Sequence, residues 1–299
     1  MKYDAKQAEA NSPDGSVTTG RLGITKTYKI YVDGKFPRTE SGRYFEYSYK
    51  TGNGSANICD CSRKDFRDAA TAARGAFAKW SSMTAYNRGQ ILYRIAEMLE
   101  GRRGQFIEEL LEQGSSRAEA ETEVAATIDR LVYYAGWSDK FQQVFSSVNP
   151  VSASYFNFSM LEPTGVISIL APEESSLLGL VSVIAPAIVG GNTCVVLASS
   201  SKPLCSITFA EVLNSSDVPA GVVNLLTGFR KELLSHMTSH MDVNAVVYAG
   251  NNSDEIKLVQ TNATLNVKRT VFLENTDAQG PYLILDTQEV KTTCHPVGI

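Results

Sequence analysis

The sequence predicts an α/β fold: a doubly wound, Rossmann-like parallel sheet with an N-terminal layer of helices and strands, and one protruding strand. Two observations carry this. From Gly165 onward, short apolar runs alternate with helical stretches: GVISILA, a helix over 176–189, TCVVL, a helix through Phe209 and Val212, then VVNLL, VNAVVY, TVFLE and YLILD. Continuous apolar strands separated by helices indicate a parallel sheet covered on both faces. Before that point, residues 151–162 (VSASYFNFSMLE) are extended, with aromatics on both faces, and cannot bury all of them in a single core.

Each earlier element has its own signal. Residues 27–48 alternate as strands do, through Tyr28, Ile30 and Val32 and again at Tyr44 and Phe45, with a turn at Gly34 and Lys35. Ala56 to Asp60 is a further strand. Ser62 starts a helix, and Asp65 three residues on completes a capping box. Ala69, Ala73, Phe77 and Trp80 recur at helical spacing and mark a buried face. Ile91, Ile95 and Leu99 line the next helix, and Phe106, Leu110 and Leu111 another. The stretch from Ala118 to about Val144 reads as one long helix with Val124, Ile128, Leu131 and Ala135 on its apolar side. The aromatic run Tyr133, Tyr134 and Trp137 reads as core.

Composition narrows the function classes. A net charge of −4 and the absence of a long basic run argue against nucleic acid or an anionic membrane as the main partner. Five cysteines at irregular spacing fit a reduced, cytoplasmic setting better than a disulfide framework. Residues 1–24 have no apolar core and read as a solvated tail or linker, not a signal peptide, ahead of a domain over 25–299. The most apolar stretch, Leu177 to Val189, is shorter than the roughly 20 residues a membrane span needs.

No metal site is expected. His236 and His240 are four apart, but the string HMTSH lacks the glutamate of a zinc-hydrolase helix. Cys59 and Cys61 share a strand face without a second ligand pair nearby.

The ordered series DFRDAATAARGAFAKW, NRGQILYRIAEMLEGRRGQFIEELLEQG, LVYYAGWSDK, GVISILAPE, GNTCVVL, VPAGVVNLLTG and HMDVNAVVYAGN resembles the nucleotide-binding half of the aldehyde dehydrogenase superfamily, over nearly all of residues 25–286. The catalytic half that follows in that family is not in this sequence. APEESSLL and the ending CHPVGI are similar to the truncated second module of the tandem, family-sixteen enzymes. The resemblance implies that residues of about 145–163 form an oligomerisation strand. It also implies pairing either with another copy or with a catalytic aldehyde dehydrogenase domain, through an exposed edge over 151–162.

The same resemblance makes the chemical positions conspicuous by what replaces them. Aldehyde oxidation needs a thiolate nucleophile, a general base, an oxyanion donor and a bound nicotinamide. Cys294 is the only late cysteine, and it stands beside His295 in TTCHPVGI rather than after a Gly-Gln pair. Glu174 takes the place of the family's oxyanion-binding asparagine, and a carboxylate has no proton to donate at neutral pH. With Glu173, it would instead charge the start of the following helix. Glu274 stands at the position of the family's general base, but Asn275, Thr276 and Asp277 follow in place of two glycines and a lysine.

Leu197 and Ser200 replace the ribose-binding lysine and glutamate. Gly250 and Asn251 open the turn that faces the cofactor pyrophosphate, but Glu255 replaces its second glycine and crowds it with Asp254. The expectation is therefore no catalytic residue and no cofactor, in a module with a structural, assembly or scaffold role. The alternative is an NAD(P)-dependent oxidoreductase fragment completed by a partner domain that brings the cysteine.

Overall fold

The structure, a computed structural model, describes residues 24–52 and 54–298. The tail expected over 1–24 lies outside the described residues except for Ile24. At the N-terminal end β1 (Lys26–Tyr28), β2 (Tyr44–Ser48) and β3 (Ser55–Cys59) form a small sheet in the order β1-β3-β2. The expected turn is present. Asp33 and Gly34 take φ of 53° and 69°, and Val32 exchanges backbone hydrogen bonds of 3.0 Å with Lys35. Ser62 caps α1 (Arg63–Ser81), with both arms of the capping box to Asp65 made. Phe66, Ala69, Ala70, Ala73 and Trp80 form its buried face, while Phe77 is only half-buried.

Three helices follow: α2 (Ala85–Gly101), α3 (Arg103–Glu112) and α4 (Arg117–Trp137). The long helix expected up to Val144 is instead two. It breaks after Trp137, where Ser138 and Asp139 are poor helix formers, and a short α5 (Phe141–Phe145) resumes with Phe141 buried. Tyr134 is fully buried, whereas Tyr133 and Trp137 are only partly so.

Next come β4 (Ser147–Asn149) and β5 (Tyr155–Pro163), and then the alternating part of the chain. Its elements are β6 (Val166–Leu170), α6 (Leu178–Val189), β7 (Thr193–Leu197), α7 (Leu204–Asn214), β8 (Val223–Leu226), α8 (Arg230–Ser239), β9 (Ala245–Ala249), α9 (Ser253–Ala263) and β10 (Arg269–Leu273). The strands build one parallel sheet in the order β10-β9-β6-β7-β8. Strand order reverses at β6, where the carboxyl ends of β6 and β9 lie side by side, and clefts in such sheets open at that point.

Side chains alternate across this sheet. Ile167, Ile169, Val196, Leu225 and Val247 join a core with α2, α4, α6 and α7. Val166, Leu170, Val195, Leu197, Leu226 and Val246 join a second core with α1, α8 and α9. Both faces are therefore covered, which is why the strands read as unbroken apolar runs.

Two sequence expectations need correction beyond β10. YLILD is not a strand but a single helical turn, α10 (Tyr282–Leu285), followed by β11 (Gln288–Pro296). Pro281 at φ −69° precedes it, a residue and angle suited to helix entry. The segment 151–162 is not an edge strand either. β5 is the central strand of a sheet in the order β11-β5-β4, antiparallel to both neighbours. Cys294, singled out beside His295, is an exposed strand residue opposite Asn157.

Candidate functional site

The cleft at the carboxyl ends of β6 and β9 is lined by Glu173, Glu174, Ser200, Phe229, Arg230, Tyr248, Gly250, Asn251 and Glu255, and encloses about 390 Å³. At its centre lies the guanidinium of Arg230. Nε faces Glu173 Oε1 at 3.3 Å, and Nη1 donates to Glu255 Oε2 at 3.2 Å. Nη2 donates to the carbonyl of Ala249 at 2.9 Å and to that of Ala171. The carbonyls just after β6 and at the end of β9 are thereby tied together by one side chain.

Tyr248 completes the arrangement. Its ring lies 5.0 Å from the Arg230 guanidinium carbon, within cation–π range. Its hydroxyl donates to Glu255 Oε2 at 2.6 Å. Burial first, and that hydrogen bond second, push the Tyr248 phenol up to about 12. Gly250 is required beside it. At φ +153°, a Cβ would lie 3.2 Å from both Arg230 Nη1 and the Tyr248 hydroxyl.

Glu173 faces a second set of donors. The amides of Ser200 and Ser201 donate to its Oε2 at 2.9 and 3.1 Å, with the Ser200 hydroxyl at 3.2 Å. The hydroxyls of Ser199 and Ser201 hold its main-chain carbonyl at 2.8 and 2.6 Å. Glu173 therefore does not charge the start of α6. The carboxylate there is Glu123, from α4, whose Oε1 accepts from the amides of Leu177 and Leu178 at 3.1 Å each and from the Ser175 hydroxyl. An anion at a helix N-terminus is favoured by unsatisfied donors and by the dipole, and tertiary packing supplies it.

The remaining residues singled out from the sequence fall in different places. Glu174 and Glu274 are exposed and line an adjoining cleft with Asn251, Gly250 and Asp277. Glu255 is in the cleft but is paired, and the α9 amides it was expected to crowd are capped by the Asn252 side chain. Leu197 is not in the cleft at all: it is buried in the core beneath β7. Asp254 is exposed.

Other expected sites resolve into packing. Cys59 and Cys61 are buried free thiols; burial raises both above the ordinary thiol range. His240 packs edge-on against Phe66 at 5.5 Å. Among the described residues, no group of three or more His, Cys, Asp or Glu is arranged to hold a metal ion, and no helix is long and apolar enough to cross a membrane.

Sequence reasoning missed Arg230 and Glu123. Arg230 did leave a trace. It is the first residue of α8, where a cation opposes the helix dipole, and a residue so placed serves something outside its own helix. Glu123 left none, because it acts on α6 from a different helix.

The Aldehyde dehydrogenase family profile matches residues 38–295. The chain belongs to that family. It is 33% identical to retinal dehydrogenase 2 of Gallus gallus over 256 residues, covering 83% of this chain and 48% of that protein. With the putative aldehyde dehydrogenase DhaS of Bacillus subtilis it shares 29% identity over 270 residues, 89% of this chain and 53% of the relative. Among solved structures, the NAD+ complex of an aldehyde dehydrogenase from Bacillus cereus superposes with a TM-score of 0.77 at 27% identity, covering 83% of this chain and 50% of that one. The chain thus spans about half the length of the relatives it matches. Its five-stranded parallel sheet and covering helices are those of the aldehyde dehydrogenase fold.

Proposed function

We propose that this aldehyde dehydrogenase module is non-catalytic and has an assembly role, associating through its three-stranded sheet with another copy or with a catalytic aldehyde dehydrogenase domain. The observation that carries the assembly reading is one face of that sheet. Phe156, Phe158 and Met160 of β5 and Val148 of β4 share it; Phe156, Met160 and Val148 are exposed, and the two phenylalanine rings lie 5.3 Å apart. The opposite face is polar at the same level, where Asn149 donates to Asn157 at 2.7 Å and to Ser159 at 2.8 Å. A protruding sheet with one polar and one uncovered apolar face is suited to covering by a partner. Because β5 already has both neighbours, the contact is through this face or along β4 and β11.

The cleft supports the non-catalytic half of the reading. Of the described cysteines, none lines it: four are buried, and Cys294 lies on β11. Glu174 and Glu274 would meet a developing oxyanion with negative charge. A dinucleotide suits the cleft poorly, since Leu197 offers no hydrogen bond there and Arg230 is engaged by Glu173 and Glu255. Five free thiols and the lack of a membrane-spanning helix among the described residues suit a cytoplasmic location.

Light scattering on wild type and Phe156→Asp, with nucleotide titration of the same samples, tests this. A drop in mass for the folded variant, and no nicotinamide affinity in the micromolar range for wild type, are expected. Equal masses would remove the assembly reading. Micromolar affinity for NAD would favour an oxidoreductase fragment completed by a partner that brings the cysteine.

A further inference from the structure

The outer faces of α2 and α4 enclose a groove of about 310 Å³ that shares no lining residue with the clefts at the carboxyl ends of the strands. Tyr86 and Tyr93 of α2 form one wall, and Val132 and Gly136 of α4 the other. Tyr86 is 65% exposed and Tyr93 49%. Their spacing puts both rings on one face of the helix. Uncovered aromatics grouped in this way mark interfaces rather than ordinary solvated surface.

Two glycines fix the shape of the groove. Gly89 is buried where the helices touch, and a Cβ there would collide with Ser138 Oγ and lie 3.1 Å from the Ala135 carbonyl oxygen. The helices are thereby held at a set, close distance. Gly136 is exposed, and a Cβ there would meet only the Lys140 ammonium, at 3.8 Å. Its missing side chain keeps the groove open.

Charge and spacing select what fits. Asp129 and Asp139 are exposed on α4 and, among the described residues, make no ion pair, whereas Arg94 on α2 is already paired with Glu97 at 3.1 Å. Lys140 turns its ammonium back onto the Gly136 carbonyl at 2.5 Å. A second copy of this face would set carboxylates against carboxylates, so the complement is a basic partner. Tyr86 and Tyr93 are seven residues apart in sequence, about 10.5 Å along the helix, close to the ~9.3 Å turn of a polyproline II helix. Asp129 and Asp139 lie about 15 Å apart along α4, a span of about five polyproline II residues. That backbone has no internal hydrogen bonds, so its carbonyls are open to the tyrosine hydroxyls.

We propose that the α2–α4 groove docks a basic, proline-rich segment of a partner protein in the polyproline II conformation. Tyr86 and Tyr93 pack against its prolines, and Asp129 and Asp139 receive its cations. The inference does not depend on assembly through the three-stranded sheet, which is built from other elements.

The experiment is a fluorescence-anisotropy titration of the full chain into a labelled octapeptide, Pro-Arg-Pro-Leu-Pro-Pro-Arg-Pro. One control peptide has glycine for every proline, and another has glutamate for both arginines. Saturable binding is expected, at least tenfold tighter than to either control. Tyr93→Ala should weaken it at least tenfold. So should Gly136→Leu, which fills the groove and leaves every contacting side chain in place. Asp139→Asn should weaken it less, and should reduce its salt dependence. Tyr86→Ala replaces Tyr93→Ala in the test if the latter does not fold. No saturable binding by wild type overturns the proposal, as does equal affinity for the glycine peptide or an unchanged affinity in the folded variants. A fall in the mass of the protein on Gly136→Leu, read by light scattering, would give the groove to a second copy and overturn it as well.

Discussion

Tyr248 donates its phenolic proton to Glu255 Oε2 across 2.6 Å, at the point where β9 passes into the cleft. Replacing Tyr248 by phenylalanine removes a partly buried hydrogen bond to a carboxylate and is expected to destabilise the fold by about 1.5 kcal/mol. The effect has a pH signature. The fold holds the phenol up from its ordinary 10 to about 12, chiefly by burial and then by the bond to Glu255. A raised acid contributes its full stabilisation below the unfolded value and loses it as pH rises through the folded one. Urea unfolding of wild type and Tyr248→Phe should therefore show a constant gap below about pH 10 that narrows toward pH 12.

Glu123 caps α6 from outside. Glu123→Ala strips the Leu177 and Leu178 amides and the Ser175 hydroxyl of a shared acceptor. A loss of about 1–3 kcal/mol is expected, with Glu123→Gln less damaging because its carbonyl still accepts. Equal unfolding midpoints for wild type and the alanine variant would refute the capping role.

Arg130 clamps the segment that follows Glu274. It donates to Ser182 Oγ at 2.6 Å on α6 and to the carbonyls of Thr276, Asp277 and Ala278. In Arg130→Met, hydrogen exchange should quicken over residues 275–280 while the strands of the parallel sheet keep their protection. Unchanged exchange there would show that the segment is held by something else.

Lys268 gives a pH dependence of opposite sign. It is buried and donates to the carbonyls of His240 and Val243, and burial lowers its ammonium from 10.5 to about 8. Between these values the unfolded chain binds more protons, so stability rises with pH. Wild type should gain on Lys268→Met as pH goes from about 8 to about 10.5. A flat difference across that window contradicts the assignment.

Much of the fold was legible because local pattern and tertiary role agree. Ser62 and Asp65 announced α1, and TCVVL announced β7 to the residue. The failures have physical causes. YLILD carries strand-forming residues, but Pro281 and a single buried side chain, Ile284, make it one helical turn. The 151–162 segment shows no sign of β11, its partner far along the chain, so it read as an unpaired edge. Among the site positions, Glu174, Glu274, Gly250 and Asn251 do surround one opening. Leu197 is pulled into the core because a leucine at a strand end gains more from apolar contact than from water. The electrostatic centre was illegible because its parts come from elements far apart in the sequence: Glu173 and Ser200 from loops, Tyr248 from β9, and Arg230 and Glu255 from α8 and α9.

The pairing of β5 with β11 also has a bearing on how the chain folds. Thr164 and Thr287, joined where these strands meet, lie 123 residues apart, and every strand of the five-stranded parallel sheet falls between them. Closing so long a loop costs little extra free energy, about 0.6 kcal/mol per doubling of length. It does cost time, since contacts distant in sequence form slowly. β11 reaches its register on β5 across the whole length of chain that builds the parallel sheet. The three-stranded sheet thus acts as a clasp, joining two segments of chain that flank the whole parallel sheet in the sequence.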